Sequence, residues 1–107
     1  MTTFNEREDA FEKKFAHDEE LRFKATARRD MLFGLWVAEK LGKTGPEAKA
    51  YAKSVVLADF KEAGDADIIR KVHRDLEAAG KAVDDAEFRR VLGDLMARAV
   101  EEIKAGR

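Results

Sequence analysis

The sequence contains no cysteine, which excludes disulfide bonds, thiolate zinc sites and cysteine nucleophiles. Long apolar runs are also missing. The longest, Met31 to Ala38, has eight residues, whereas a helix that spans a bilayer needs about 20. No basic stretch followed by an apolar core begins the chain, so we expect no signal peptide. We therefore expect a protein that is not embedded in a membrane and that works inside the cell.

An excess of charge of one sign is lacking as well. The chain has 21 Lys and Arg residues against 22 Asp and Glu residues. Such a balance lacks the electrostatic footprint of a general nucleic-acid binder, and we expect no nucleic-acid partner. Charged residues make up 40% and apolar residues 45% of the 107 residues. That composition is typical of one small domain built from amphipathic helices.

Strand signals are nearly absent, and glycines with the single proline divide the chain into helical segments. We predict an all-α protein, an antiparallel four-helix bundle, because short links join amphipathic helices to antiparallel neighbours. The predicted helices cover about 19–41, 46–63, 66–79 and 85–104. Asp18, Asp65 and Asp84 are the predicted N-caps, with Glu87 completing a capping box after Asp84. The predicted stops are Gly42, Gly64 and Gly80.

Apolar residues at helical spacing predict the buried face of each helix. In the first two helices they are Leu21, Ala25, Leu32, Leu35, Trp36, Val37, Ala38 and Leu41, then Ala48, Tyr51, Ala52, Val55, Val56 and Phe60. In the last two they are Ile68, Ile69, Val72, Leu76 and Ala79, then Phe88, Val91, Leu92, Leu95, Met96, Ala99 and Ile103.

The segment before Asp18 is not needed for this bundle. Phe4, Phe11 and Phe15 share one narrow helical stripe among charged residues. An isolated helix of this length is marginal in water, so we expect it to be frayed when the protein is alone. Two interpretations remain open: the segment docks back onto the bundle, or it folds into a groove on another protein. The predicted division is a flexible segment, 1–17, and a bundle, 18–107.

Motifs for catalysis or metal binding are weak. Ser54 is the only serine and lies on a predicted apolar helix face, so no hydrolase triad is expected. The letters GKTG at 42–45 lack the leading glycine and the strand of a phosphate-binding loop. The stretch 17–20 and the pair His73 and Glu77 contain metal-binding residue types, but a helix cap and a solvated helix face explain them. We predict no catalytic residue, no metal and no enzyme activity.

One local basic cluster lies early in the first bundle helix. Two interpretations remain open. The cluster makes the helix soluble and pairs with acids one turn away, or it contacts an acidic partner or a nucleotide phosphate. The cluster consists of Arg22, Lys24, Arg28 and Arg29.

The stretch NEREDAFEKKFAHDEELRFKATARRDMLFGLW resembles the zeta subunit family of the alphaproteobacterial F-type ATP synthase. The run from Phe15 to Arg29, the turn from Phe33 to Trp36 and the helix from Tyr51 to Val56 carry the resemblance, which extends over the whole chain in length and segment order. It implies a four-helix bundle whose mobile N-terminal extension inserts, as a helix, at a catalytic alpha/beta interface and reaches toward the rotor. Such a protein inhibits ATP hydrolysis and affects ATP synthesis little.

The resemblance also implies the partners and the place of action. The partners are the alpha, beta and gamma subunits of the synthase, so the protein lies in the bacterial cytoplasm, peripheral to the inner membrane. It needs no cofactor, binds ATP or ADP weakly at most, and is a monomer when free. The alternative function is a helical module that senses adenine nucleotide and regulates the synthase or another partner.

Site residues are carried over position by position. The expected anchors are Phe4, Phe11 and Phe15, and the expected orienting polar contacts are Arg7, Glu8, Glu12, Lys13 and Lys14. For a nucleotide, the expected contacts are Arg22, Lys24, Arg28 and Arg29.

Overall fold

The computed structural model of the chain describes residues 18–61 and 65–106. Over these residues the chain is all-α, as predicted, and each helix begins within one residue of its predicted start. The predicted N-terminal segment 1–17 and the predicted end of the second helix, with its stop at Gly64, lie outside the described residues. The helices are α1 (Glu19–Lys40), α2 (Gly45–Lys61), α3 (Ala66–Ala78) and α4 (Asp85–Lys104).

Only one of the three predicted N-caps is formed by a side chain. The Asp18 carboxylate accepts a hydrogen bond from the backbone N–H of Leu21 at 3.2 Å, as expected for an N-cap. Asp65 and Asp84 occupy the N-cap positions of α3 and α4, but their side chains make no capping hydrogen bond. The predicted capping box with Glu87 is therefore wrong, and the Asp65 carboxylate has a different partner, described below.

Two glycines end helices as predicted. Gly42 and Gly80 have φ angles of 76° and 73°, in the left-handed region that glycine adopts without a steric penalty. After Gly42, the N–H of Lys43 donates to the Ala38 carbonyl oxygen at 2.9 Å, and after Gly80 the N–H of Lys81 donates to that of Leu76 at 2.8 Å. Both are the closing hydrogen bond of a Schellman motif.

The core lies between α1, which packs along α2 and α4, and α3, which packs mainly against α2. Phe33 and Phe88 meet edge to face at its centre, with ring centroids 6.1 Å apart, an arrangement that aromatic pairs favour. Trp36 packs against both rings. The buried cluster consists of Phe33, Val37, Val55, Ile68, Ile69, Val72, Leu76, Phe88, Val91 and Leu92.

The predicted faces of α3 and α4 are largely confirmed, whereas that of α1 is confirmed only in part. Phe33 lies at the centre of the core although it was not among the predicted core residues, and Leu35, which was, is exposed. Phe60 and Ala79 were also wrongly predicted as buried. In α1 the buried stripe passes through Arg29 and Asp30, and a pattern of apolar residues alone cannot follow a stripe through charged ones.

A close approach of two helices depends on Gly34. A Cβ added there would lie 2.5 Å from the Cα atom of Ala52, so α1 and α2 pack almost backbone to backbone. We expect Gly34→Ala to lower the free energy of unfolding by about 3 kcal/mol, because the helices must separate to admit the methyl group. Urea denaturation measures this.

Gly93→Ala is the matched control for this prediction. Gly93 lies within α4 and has no atom within 4 Å of an added Cβ. There we expect a gain of about 1 kcal/mol from helix propensity. A Gly34→Ala variant as stable as the native chain would contradict the close packing.

Candidate functional site

The structure describes the point from which the predicted inhibitory segment departs, but not the segment itself. Its predicted anchors and polar contacts, Phe4 to Phe15, all lie outside the described residues. Asp18 caps α1, and the N–H of Arg22 donates to the Asp18 carbonyl oxygen at 3.0 Å. The helix therefore has a well-formed first turn directly after residue 17.

The four predicted nucleotide contacts do not form one basic surface. Arg22 and Lys24 are exposed, and Lys24 pairs with Glu20 one turn earlier, at 3.2 Å. Arg28 reaches Glu102 of α4 at 3.7 Å. Arg29 points into the bundle, where its side chain is only 8% exposed. A nucleotide contact by these residues stays a prediction.

Arg29 is the centre of a buried ion cluster that joins three parts of the chain. Its Nε and one terminal nitrogen donate to Asp30 Oδ1 at 3.0 and 2.8 Å. Its two terminal nitrogens also hold both oxygens of Asp65, at 3.3 and 2.8 Å. The Asp59 carboxylate of α2 lies 3.7 Å away. The cluster therefore ties α1 to α2 and to the start of α3.

Three carboxyl groups face one guanidinium in this cluster, so its charges do not balance. Asp30 is completely buried, and no donor group among the described residues reaches its Oδ2 atom. Burial and a hydrogen bond with the Asp59 carboxyl raise the pKa of Asp30 to about 8, although Arg29 lowers it. At neutral pH the Asp30 carboxyl therefore keeps its proton.

The Arg29 guanidinium keeps its positive charge. Burial lowers its pKa, but Asp30 and Asp65 raise it by more, so the pKa lies above the ordinary value of arginine. The guanidinium is therefore charged at neutral pH, and the group that keeps a proton is the Asp30 carboxyl.

A second polar link joins α2 to α3. The Tyr51 hydroxyl donates to Asp75 at 2.7 Å, and Lys71 donates to the same carboxylate at 3.1 Å. Burial of Asp75 raises its pKa, but the hydrogen bonds from Tyr51 and Lys71 lower it by more, so the pKa lies below the usual range. Burial and the neighbouring Asp75 raise the pKa of the Tyr51 hydroxyl, which remains a donor.

An exposed aromatic pair lies next to a groove between α2 and α3. Phe23 and Phe60 stack with ring centroids 5.0 Å apart, yet they remain 58% and 46% exposed. Leu57 is 63% exposed and lies one turn before Phe60. We call the adjoining hollow, with a volume of about 810 Å³, the α2–α3 groove; Leu57, Ala58 and Phe60 form its apolar wall, and Arg70, Lys71 and Arg74 its cationic wall.

Sequence reasoning missed this groove. Leu57 was assigned to no face, and Phe60 was assigned to the core. A signal was present, because Arg70, Lys71 and Arg74 recur at helical spacing on α3, but the neighbour of that row depends on how the helices pack.

Groups with catalytic or metal-binding chemistry are held in structural contacts. The Ser54 hydroxyl donates to the Tyr51 carbonyl oxygen at 2.6 Å, within its own helix. His73 lies 3.0 Å from Glu77 on an exposed face, as its spacing predicts. Within residues 18–61 and 65–106, no three His, Asp or Glu side chains converge on a point that could hold a metal ion. In the same residues, no helix is both long and apolar enough to cross a bilayer.

These features define a small all-α protein, an antiparallel four-helix bundle held together by an aromatic core and a buried ion cluster. The chain belongs to the family described as ATPase inhibitor subunit zeta, which matches residues 1–102. The resemblance seen in the sequence is thereby confirmed. The family match includes the N-terminal segment as well as the bundle, and it defines an ATPase-inhibitor role.

A solved structure is similar to the chain in fold and sequence. It is a solution structure of a protein determined by NMR, 49% identical to this chain, with a TM-score of 0.71. The similarity covers 81% of this chain and 99% of the other. No curated protein matches the sequence.

Proposed function

We propose that this protein is a reversible inhibitor of ATP hydrolysis by the F-type ATP synthase and that it acts through residues 1–17. The observation that carries the proposal is the extent of the family match, which begins at residue 1 and runs through the bundle. In this proposal the chain has two parts, an inhibitory segment, 1–17, and a carrier bundle, 18–107. The protein is not an enzyme but a regulatory subunit.

The inhibitory segment inserts as a helix at a catalytic alpha/beta interface and reaches toward the gamma subunit. The stripe formed by Phe4, Phe11 and Phe15 anchors the helix in an apolar groove. Arg7, Glu8, Glu12, Lys13 and Lys14 orient it. Rotation in the hydrolytic direction is blocked, and synthesis is affected little. Through the synthase, the chain lies at the cytoplasmic face of the inner membrane.

The composition of the segment supports reversible action. Three phenylalanines on one short helix contribute little stability by themselves. A segment that becomes ordered only when it binds loses conformational entropy at that step, which lowers its affinity and favours its release. The bundle is independently packed and serves as the carrier. Weak binding of ATP or ADP by the bundle stays a separate prediction, because its four expected contacts are not gathered in the structure.

Removal of residues 2–16 tests the proposal. We expect the truncated chain to have lost inhibition of ATP hydrolysis by the cognate synthase head, while its circular dichroism spectrum still shows a folded helical bundle. The more selective variant carries Phe11→Ser and Phe15→Ser together, for which we expect at least about a tenfold rise in the concentration for half inhibition, since two apolar anchors are lost.

The matched control for the double variant is Asp9→Ser, because ideal helical spacing would turn position 9 away from the stripe of positions 4, 11 and 15. We expect it to inhibit nearly as well as the native chain. Full inhibition by the truncated chain would assign the activity to the bundle and refute this mechanism.

A further inference from the structure

We propose that the α2–α3 groove binds an acidic amphipathic helix on the surface of the synthase head, beside the point at which residues 1–17 enter. This inference rests on the proposed function, since it names a second contact between the same two partners. It assigns a binding role to the bundle, which would otherwise only carry the inhibitory segment.

The first argument is position. Asp18 caps α1, and Phe23 lies five residues further along that helix, a rise of about 7.5 Å along its axis. Phe60 stacks on Phe23 and is itself part of the groove wall. The groove therefore lies at the end of the bundle from which residues 1–17 depart. Once that segment is inserted, this end of the bundle faces the surface of the synthase.

The second argument is the exposure of large apolar side chains. Phe23, Leu57 and Phe60 are three of the four large apolar residues that are exposed in the described part of the chain. Phe23 and Phe60 are in direct contact, and Leu57 lies one turn from Phe60 on the same face of α2. A contiguous apolar patch beside charged groups is typical of an interaction surface, whereas single exposed apolar residues are not informative.

The third argument is charge. Arg70, Lys71 and Arg74 line the groove together with one acid, Asp67, which pairs with Arg70 at 3.1 Å. The lining itself carries a net charge of +2, three cations less one acid, in a chain whose net charge is −1, and Lys71 also pairs with Asp75 beside the groove at 3.1 Å. A cationic wall complements an acidic partner and disfavours a basic one.

The two walls together specify the shape of the partner. The apolar wall comes from one helix and the cationic wall from its neighbour, so they run side by side along the groove. An occupant must present apolar side chains along one edge and acidic ones along the other. An amphipathic helix has both edges, and laying its apolar face in a groove between helices is a recurring mode of peptide recognition.

The test is the affinity of the full-length chain for the cognate synthase head, measured by titration calorimetry at two salt concentrations. The variant carries Arg70→Glu and Arg74→Glu together. We expect its dissociation constant to rise at least about tenfold, with a weaker salt dependence than that of the native chain. The matched control, Arg89→Glu with Arg90→Glu, makes the same change in net charge on exposed positions of α4. We expect less than about a twofold effect from it, because it lies outside the groove.

Leu57→Ser tests the apolar wall. We expect about a tenfold weaker affinity and an unchanged melting temperature, because Leu57 is mostly exposed in the free protein. At saturating concentration the groove variants should still inhibit hydrolysis fully, since residues 1–17 are intact. This separates the two proposals: absence of inhibition by the native chain refutes the proposed function, and unchanged binding by the groove variants refutes this inference.

Three other outcomes would also overturn the inference. An equal loss of affinity in the groove and control variants would show that binding depends on net charge and not on the groove. Loss of a dimer of the free chain on Leu57→Ser, seen by sedimentation, would make a second copy the occupant. Displacement of the synthase head by ADP, through binding that requires Arg70 and Arg74, would make the groove a nucleotide site.

Discussion

Replacing Arg29 with methionine is expected to lower the free energy of unfolding at pH 7 by about 3 to 5 kcal/mol, the usual cost of removing one partner from a buried ion cluster. Methionine fills much of the same space without a charge. It leaves Asp30, Asp59 and Asp65 facing one another with no cation among them. The two hydrogen bonds that fix Asp65 at the start of α3 are lost as well. Chemical denaturation followed by circular dichroism measures the effect.

Arg28→Met provides the matched control for this prediction. Arg28 is the preceding residue in the same helix, and its partner Glu102 lies 3.7 Å away at a partly exposed position. For such a pair we expect a loss of about 1 kcal/mol or less. The defect of Arg29→Met should shrink at pH 4, where protons replace the missing cation. Equal effects of the two substitutions would show that the cluster contributes no more than a surface ion pair.

Asp30→Asn is expected to stabilise the protein at pH 8 by roughly 2 to 5 kcal/mol, although it removes a residue that accepts two hydrogen bonds from Arg29. Asparagine has the shape and hydrogen-bonding pattern of a protonated aspartic acid. Its oxygen can still accept from Arg29, and its amide group can donate toward Asp59. The asparagine side chain needs no proton to be neutral, so the cost of keeping a buried carboxyl protonated above its ordinary pKa disappears.

The direction of the pH dependence follows from the raised pKa of Asp30. In the folded protein Asp30 keeps its proton up to about pH 8, whereas in the unfolded chain it releases it near pH 4. The folded state therefore binds more protons between these values. Its stability falls as the pH rises through this window, by at most about 1.4 kcal/mol per pH unit. Asp75, whose pKa is lowered, acts in the opposite direction but is common to both proteins.

The measurement for Asp30 is the free energy of unfolding of the native chain and of Asp30→Asn at intervals from pH 5 to pH 8.5. We expect the difference between them to grow with pH. Asp94→Asn removes an exposed carboxylate that pairs with Arg90 on the surface, and it should leave the native pH dependence unchanged. A loss of stability in Asp30→Asn at every pH would show that Asp30 is ionised and acts as an ordinary partner of Arg29.

The helices could be predicted because local chemistry determines where they begin and end. Gly42 and Gly80 adopt backbone angles that favour glycine, so their positions mark helix ends in the sequence and in the structure. Asp18 marks a helix start in the same way, because its carboxylate accepts a hydrogen bond from the first turn. The apolar spacing of α3, which has few buried polar residues, identified its core face almost completely.

The buried ion cluster could not be predicted, because long-range partners decide whether a charged residue faces inward. Arg29 was assigned with Arg22, Lys24 and Arg28 to one basic cluster on the strength of proximity in sequence. Its partners Asp59 and Asp65 are 30 and 36 residues away along the chain, and no local pattern reveals them. For the same reason Asp65 was expected to cap α3, whereas its carboxylate is held by Arg29.

The groove escaped prediction for a related reason. Spacing identifies the apolar residues that share a helix face, but not the ones that a neighbouring helix covers. Phe60 looked like a core residue, yet it is 46% exposed and stacks on the exposed Phe23 instead. The residues of the inhibitory segment were assigned from the resemblance and remain predictions, since they lie outside the described part of the chain.

The most direct test of the account is the rate of ATP hydrolysis by the cognate synthase head as the intact chain is added. The account predicts that hydrolysis falls with concentration to a low plateau, and that ATP synthesis by the complete enzyme in vesicles changes little. An unchanged rate of hydrolysis at concentrations where calorimetry shows the head to be saturated with the chain would contradict the central claim, that this protein is an inhibitor.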